Sequence, residues 1–433
     1  MRWFLLHIVF VSCAGFSQTW NLQQCLDTGL VKNYNLTSSD ITSAILNENL
    51  KESKATFLPS LNGGAIHGYN WGQTLDPFTN QFATDQVQYN NFYLRSGVVL
   101  FSGMGNYYNV RMRETDLESE VFNRKIQERG LKIEIATSYL QILLNNEVLQ
   151  IAIEHLGLSL KQREKLELLI AAEKETNYKF HEINAQVQRD QLTILTAQND
   201  LNFSLLVLQQ LIDLPYDSSF TIETADTLFK EVSLNAEEID PRNFAELRAA
   251  DLNFKYLYQN DKYIRSNLYP TLSLNGAIGT GYSGNNTELI GGSDVTKPFG
   301  IQLSENFYQS VYFSLNIPIF NRRNITTQIK TNDLQIKQLV LDKEQAKLTV
   351  EKMFEQLKMV NSNSKRQYQM SQAVLNAVKL NYQESQIRYE NGKLSYGELL
   401  EIKDALFIAQ SDLIQAKYQS YINELILKFY LEN

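Results

Sequence analysis

Tyr389-Glu390-Asn391-Gly392-Lys393-Leu394-Ser395-Tyr396-Gly397-Glu398-Leu399-Leu400-Glu401 is a helix stop followed at once by a helix start. Asn391-Gly392 supplies the turn or left-handed conformation that ends a helix. Ser395-x-x-Glu398 has the spacing of a capping box, which begins one. Beyond it Leu399, Ile402, Leu406, Ala409, Leu413 and Ala416 alternate spacings of three and four, the mark of a coiled-coil seam. Ahead of it Val350, Met353, Leu357 and Val360 do the same. No proline lies between Asn321 and the carboxyl end. The incoming arm is therefore expected to be one helix of about 68 residues, roughly 100 Å long at 1.5 Å per residue. Ordinary globular domains do not need such a length.

Working outward, the same plan is written twice. A helix over Trp20 to Phe57 ends at Leu58-Pro59-Ser60-Leu61, because proline excludes the helical conformation at the residue before it. Strands are expected over 58–75 and 86–103, a long helix over about 105–173 and a return helix over about 180–213, with a seam at Ile194, Ala197, Leu201, Ser204, Leu208 and Leu211. The second set is a helix over 241–268, strands over 270–282 and 301–320, a long helix over about 322–389 and a return helix over about 396–430. Pro59 and Pro270 are 211 apart, Phe101 and Phe320 are 219 apart. The expected organisation is a tandem duplication, 18–219 and 240–433, joined by a linker or equatorial segment over 220–239.

Composition narrows the function. A net charge of -8 without a basic cluster speaks against nucleic acid. Met1 to Val11 is a short apolar run behind one positive charge, and Gly15-Phe16-Ser17 offers the small residues of a cleavage site before Gln18. Residues 1–17 read as a secretory signal peptide, too short to span a bilayer. Cys13 leaves a second reading, an acylated lipoprotein. In the ordinary mature chain only Cys25 would remain, so no disulfide framework follows. His67, His155 and His181 have no second ligand at zinc-like spacing, and no metal or cofactor is expected. Gly-rich phosphate loops after a strand and nucleophile elbows are missing, which points away from an enzyme.

The strands say where they live. In Val311-Tyr312-Phe313-Ser314-Leu315-Asn316-Ile317-Pro318-Ile319 every odd position is apolar, and Leu272, Leu274 and Ile278 alternate with Thr271, Ser273 and Asn275. Phe92, Leu94, Val98 and Leu100 keep the same parity. This suits a barrel wall with lipid outside and water inside, though a half-buried soluble sheet would read alike. Four strands do not close a barrel, and open edges are not tolerated in hydrocarbon, so several chains would have to pool them. Trp71, Tyr89, Phe92, Tyr93, Phe101, Tyr308 and Tyr312 are expected to form aromatic girdles at the membrane interfaces.

On Leu58-Pro59-Ser60-Leu61, Ile317-Pro318-Ile319-Phe320-Asn321 and Arg388-Tyr389-Glu390-Asn391-Gly392-x-x-Ser395-x-x-Glu398-Leu399-Leu400, the chain resembles the TolC-like outer-membrane efflux family. The resemblance implies an α-helical barrel of long coiled-coil hairpins, plus a trimeric transmembrane β-barrel with four strands per chain. It implies a homotrimer in outer-membrane lipid that extends into the periplasm. It further implies a periplasmic adaptor (membrane-fusion) protein and an inner-membrane pump as partners. The implied role is a passive exit duct of a tripartite efflux system. A duct for type I protein secretion is the near alternative; a secreted coiled-coil scaffold or adhesin is the alternative of another class.

By the same resemblance the helical breaks form a periplasmic tip. Glu398 and Glu401, with Glu182 at the first break, fall at the pore gate. Asn391, Gly392, Lys393, Leu394 and Ser395 fall in the adaptor-docking turn, with Thr176 and Asn177 at the first break. There the pattern departs: Thr176 stands in place of the glycine and Lys179 in place of the capping serine, leaving Asn177 to supply the turn. The plainer readings stand beside these. Glu398 is already accounted for as a cap, Glu401 as a solvated helix face, and Asn391-Gly392 as an interhelical stop.

Overall fold

The helical breaks and the strands occur as two sets of elements in a computed structural model that describes residues 19–76, 78–83, 86–173, 175–223 and 244–431. The expected signal peptide with Cys13, most of the 220–239 linker, the helix start at Pro241 and Lys174 lie outside the described residues. The first set is β1 (Thr19–Trp20), α1 (Leu22–Lys32), α2 (Tyr34–Ala55), β2 (Ser60–Trp71), β3 (Thr74–Leu75), β4 (Phe82–Ala83), β5 (Gln86–Ser102), α3 (Gly105–Ala171), α4 (Asn177–Leu211) and β6 (Thr221–Ile222). The second is α5 (Ala245–Ser266), β7 (Thr271–Ser283), β8 (Thr287–Ile290), β9 (Ser293–Thr296), α6 (Phe299–Glu305), β10 (Tyr308–Asn316), α7 (Asn324–Glu390) and α8 (Tyr396–Leu431). Among the described residues no helix is long and apolar enough to cross a membrane.

Element lengths recur between the halves. Both α2 and α5 have 22 residues, and both α3 and α7 have 67. Each of these long helices is about 100 Å from end to end. Each is entered through two consecutive residues with positive φ, Gly103 and Met104 before α3, Arg322 and Arg323 before α7.

Several expectations are corrected. The helix over Trp20 to Phe57 is two helices, because Asn33 serves both: its N–H closes α1 on Gly29 O, and its Oδ1 accepts from Asn35 N and Leu36 N to start α2. The strand over 301–320 is shorter. Pro298 opens α6, whose buried Gln302 side chain is tied to Ser283 and Lys297, and the strand is confined to β10. In the α7 seam Phe354 rather than Leu357 or Val360 is deeply buried, and Val360 is exposed.

One compact unit comprises the described residues within 19–40, 122–248 and 346–431. Its largest core gathers Leu22, Cys25 and Leu26 of α1, Ile135, Tyr139 and Leu140 of α3, Leu208 of α4 and Tyr418 of α8. Burial pushes the Cys25 thiol up to about 12, so it behaves as a small hydrophobe. β1 and β6 pair in parallel, and Tyr139 Oη donates across them to Trp20 O and Glu223 O at 3.2 and 3.1 Å.

The other unit comprises 41–121 and 249–345 and holds a four-stranded antiparallel sheet in the order β10-β7-β5-β2. A bulge between Val99 and Phe101 puts Leu100 outside the register, so Phe101 rather than Leu100 keeps the apolar parity with Leu272. From the register, one face carries Leu274, Ile278, Leu94, Val98, Val311, Phe313 and Leu315. The opposite face carries Ser273, Asn275, Asn91, Ser310, Ser314 and the tyrosines 89, 93, 308 and 312. Those tyrosines therefore share the polar face rather than girdling the apolar one. Their rings lie over glycines: Tyr89 over Gly68, Tyr93 over Gly64, Tyr308 over Gly279, where a Cβ would meet ring atoms at 2.9, 2.5 and 2.6 Å. β10 and β2 are the two open edges, and every residue of β10 is exposed.

Candidate functional site

The second break is built by backbone geometry. Gly392, at φ 69°, takes the left-handed position after α7. Lys393 N donates to Arg388 O at 2.8 Å and Gly392 N to Tyr389 O at 3.0 Å, the two bonds of a Schellman stop. Ser395 then caps α8: its N–H and Oγ both donate to Glu398 Oε2, at 2.8 and 2.7 Å, while Glu398 N donates to Ser395 Oγ at 3.3 Å. Those bonds hold the Glu398 carboxyl below its ordinary range. Asn391, Gly392, Lys393, Ser395, Glu398 and Glu401 are exposed, and Leu394 is half-buried against the Tyr382–Leu399 cluster.

At the first break the left-handed residue is Glu173, at φ 58°, and not Asn177, which is the first residue of α4. Thr176 is the N-cap but makes no side-chain capping bond. Lys179, in the place of Glu398, pairs instead with Glu175 at 2.7 Å. Counting from the α3 and α7 starts, Glu173 is the equivalent of Gly392, Thr176 of Ser395, and Glu182 of Glu401. The reason is local: with no glycine available, the chain places an exposed residue in the left-handed turn and forgoes the capping box.

The breaks are brought side by side within their unit. Tyr396 is buried with Leu166 and Ile183, beside Phe180, Tyr389 and Leu400, and the Tyr389 and Tyr396 rings are 6.1 Å apart. Lys165 Nζ meets Glu390 Oε1 at 2.9 Å. Burial raises both phenols, and the Glu182 charge adds to that rise. Glu182 is half-buried; Thr176 and Asn177 are exposed.

A polar cluster below the breaks was not foreseen from the sequence. Lys403 on α8 is fully buried and its ammonium donates to Asp190 Oδ2 of α4 at 3.2 Å and to Ser159 Oγ of α3. Ser159 Oγ also donates to Asp190, and Gln186 Nε2 donates to Asp190 Oδ1 at 2.8 Å. His155 stands between Asp190 and Asp404, at 3.4 and 3.7 Å, against the Phe407 ring. Burial alone would raise the Asp190 carboxyl, but hydrogen bonds from His155 and Ser159 and the charge of Lys403 outweigh it and hold the group at about 2. Burial lowers the Lys403 ammonium, opposed by Asp190 and Asp404. A signal was present: Lys403 lies four residues after Leu399 and three before Leu406, so it falls in the seam where an apolar side chain is the rule.

The family model for outer membrane efflux protein matches residues 242–432. No curated protein matches this sequence. Among solved structures, CusC superposes with a TM-score of 0.80 at 17% identity, over 95% of this chain and 91% of that one. VceC of Vibrio cholerae, an outer membrane protein, gives 0.80 at 15% identity, over 95% of each chain. The open state of the MtrE outer membrane channel of Neisseria gonorrhoeae gives 0.76 at 17%, over 95% of this chain and 88% of that one. At these identities the likeness concerns the fold.

Proposed function

We propose that this protein, whose residues 242–432 match the family model for outer membrane efflux protein and whose fold over 95% of the chain is that of CusC and VceC, is an outer-membrane channel extending into the periplasm, the exit duct of a tripartite efflux system. In this reading three copies each contribute four strands to one twelve-stranded barrel, and their hairpins form an α-helical barrel. The twofold element plan is an internal duplication that supplies two hairpins per copy. Substrate would pass from an inner-membrane pump and a periplasmic adaptor through the tunnel without chemical change, so the protein is no catalyst. Glu398, Glu401 and Glu182 would ring the narrow end and favour cations, while Asn391 to Ser395, with Thr176 and Asn177, would present the turns on which adaptor hairpins dock.

One observation carries the reading: an antiparallel sheet with one apolar and one polar face, both of whose edges are open. Such a sheet is stable in a bilayer only when its edges are joined to others. The test is to purify the protein from outer-membrane fractions in detergent and reconstitute it in planar bilayers. A heat-sensitive trimer that passes cation-selective current is expected. Recovery as a water-soluble monomer would sink the proposal.

A further inference from the structure

The short helix α6 is built in the reverse of the order that water selects. Gln302 is fully buried, whereas Phe299 and Ile301 on the same helix are each 46% exposed. In water an amphipathic helix buries its apolar side chains and exposes its amides. The glutamine is inside because β10 begins at Tyr308, opposite Gly279, and leaves the last residues of β7 without a strand on that side. Gln302 Oε1 accepts from Ser283 N at 2.9 Å, its Nε2 donates to Ser283 O at 3.0 Å, and Asn306 Nδ2 donates to Gly281 O at 2.8 Å. Side-chain amides thus satisfy the backbone that a longer β10 would have paired. The helix also leans over the apolar face of the sheet. Thr280 Oγ1 donates to Leu303 O at 2.5 Å, and the Phe299 ring lies 6.3 Å from Phe92 and 5.4 Å from Tyr282. By strand alternation Thr280, Tyr282 and Phe92 stand on the same face as Ile278 and Leu94.

That face changes chemistry along its length. Leu272 and Tyr282 are ten positions apart, about 33 Å along the strand and roughly 25 Å in depth at a tilt of about 40°, the height of the apolar band of a barrel in a bilayer. Beyond that level, at the end of the sheet away from the junctions with α3 and α7, the aliphatic side chains stop. There β2 carries a ladder of rings, His67, Tyr69 and Trp71, with centroids 5.1 and 6.0 Å apart and the last two stacked. Trp71 is 74% exposed. Paired with them in register on β5 are three carboxamides, Asn90, Gln88 and Gln86. His67 Nδ1–H donates to Asn90 Oδ1 at 2.6 Å, which orients both. Beside Gln88 lies Gly284, where a Cβ would meet Gln88 Cβ at 3.4 Å, so the missing side chain keeps the floor open. No Asp, Glu, Lys or Arg lies on this face of β2, β5, β7 or β10. Lys297 and Glu305, at the two ends of α6, neutralise each other at 2.7 Å.

We propose that the face between the β2 ladder and α6 binds the sugar headgroup of an outer-leaflet glycolipid, whose acyl chains run past Phe299 and Ile301. The inference rests on the reading that the apolar face of the sheet meets lipid, and it names the headgroup met at the outer end. A sugar ring offers C–H faces that stack on aromatic rings, and hydroxyls that both donate and accept. Gln86 and Gln88 answer the hydroxyls with carboxamides that also do both, beside Tyr69 and Trp71. A phospholipid headgroup carries its charge on a phosphate, and this face sets no cation against one. The inverted helix fits the same occupant, since Phe299 and Ile301 are favourably placed only where hydrocarbon replaces water. Side chains stand off the faces of a sheet, so pairing of the β2 edge leaves the ladder open to the ligand.

Trp71 reports on the site by its own fluorescence. With Trp3→Phe and Trp20→Phe it is the only tryptophan of the chain. The full-length protein is placed in nanodiscs of phosphatidylglycerol alone and in nanodiscs of the same lipid containing rough-type lipopolysaccharide. Lipopolysaccharide is expected to shift the Trp71 emission to the blue and to lower its quenching by acrylamide at least about threefold, as covering most of an exposed ring would. Gln86→Leu with Gln88→Leu should abolish most of that protection, because the hydroxyls lose their partners while the rings stay in place. Equal quenching in the two kinds of disc overturns the site, and so does protection that survives unchanged in the amide variant. Current recorded in planar bilayers of the same two compositions separates the site from the duct and verifies that the variant is folded. Current without protection removes the sugar site and leaves the duct standing; protection without current keeps the site and sinks the duct.

Discussion

Lys403 Nζ lies 3.2 Å from Asp190 Oδ2, across 213 positions of sequence, with no part of the lysine side chain open to water. Removing one partner strands the other as an uncompensated buried charge. Lys403→Met is expected to cost about 3 kcal/mol, because breaking a buried pair is far worse than replacing it. Lys403→Met combined with Asp190→Leu should recover most of that loss. The midpoint of urea unfolding for the detergent-solubilised protein measures both, and equal destabilisation in the single and double variants would refute the coupling.

Acid sensitivity follows from the same carboxylate. Asp190 titrates at about 2 in the folded chain against 3.8 ordinarily, so the unfolded state binds the proton first as pH falls. The stability it contributes is complete above about pH 4 and is lost as pH falls through about 2. Thermal melts between pH 5 and pH 2 should show a steeper loss for the parent than for Asp190→Asn. Parallel curves would show that another group controls the acid limb.

Glu398 is engaged in a cap, whereas Glu401 and its equivalent Glu182 are not needed for one. Glu401→Gln with Glu182→Gln should therefore raise single-channel conductance and weaken cation preference while leaving the melting temperature nearly unchanged. Glu398→Gln should keep much of its cap, since glutamine also serves in a capping box. Bilayer recordings with unaltered ion preference in the triple variant would remove the gate assignment.

The two turns invite opposite substitutions. Gly392 sits at φ 69° with open space around its missing Cβ, so Gly392→Ala should cost about 1 kcal/mol from backbone conformation alone. Glu173, at φ 58°, already bears that cost, and Glu173→Gly should return about the same amount. Denaturant midpoints compare the two. Gly392→Trp tests the docking role, with loss of crosslinking to the adaptor as the expected result and undiminished crosslinking as the refutation.

The sequence by itself determined the elements that depend on neighbours along the chain. Proline at 59 and 270, the Asn391-Gly392 stop, the Ser395–Glu398 cap and the alternation over 311–316 within β10 act through local backbone and side-chain chemistry, so they were legible without a fold. Local reading failed where two local signals competed, as at Asn33, which ends one helix and starts another, and at Pro298, which turns an expected strand into α6. It also failed at Glu173, where a left-handed residue carries no glycine to announce it. Tertiary structure alone decided which tyrosines share the polar face of the sheet, because a bulge and a register are properties of paired strands. It alone could bring Lys403, Asp190, Ser159 and His155 together, since helix periodicity says which face a residue occupies and not what another helix sets against it.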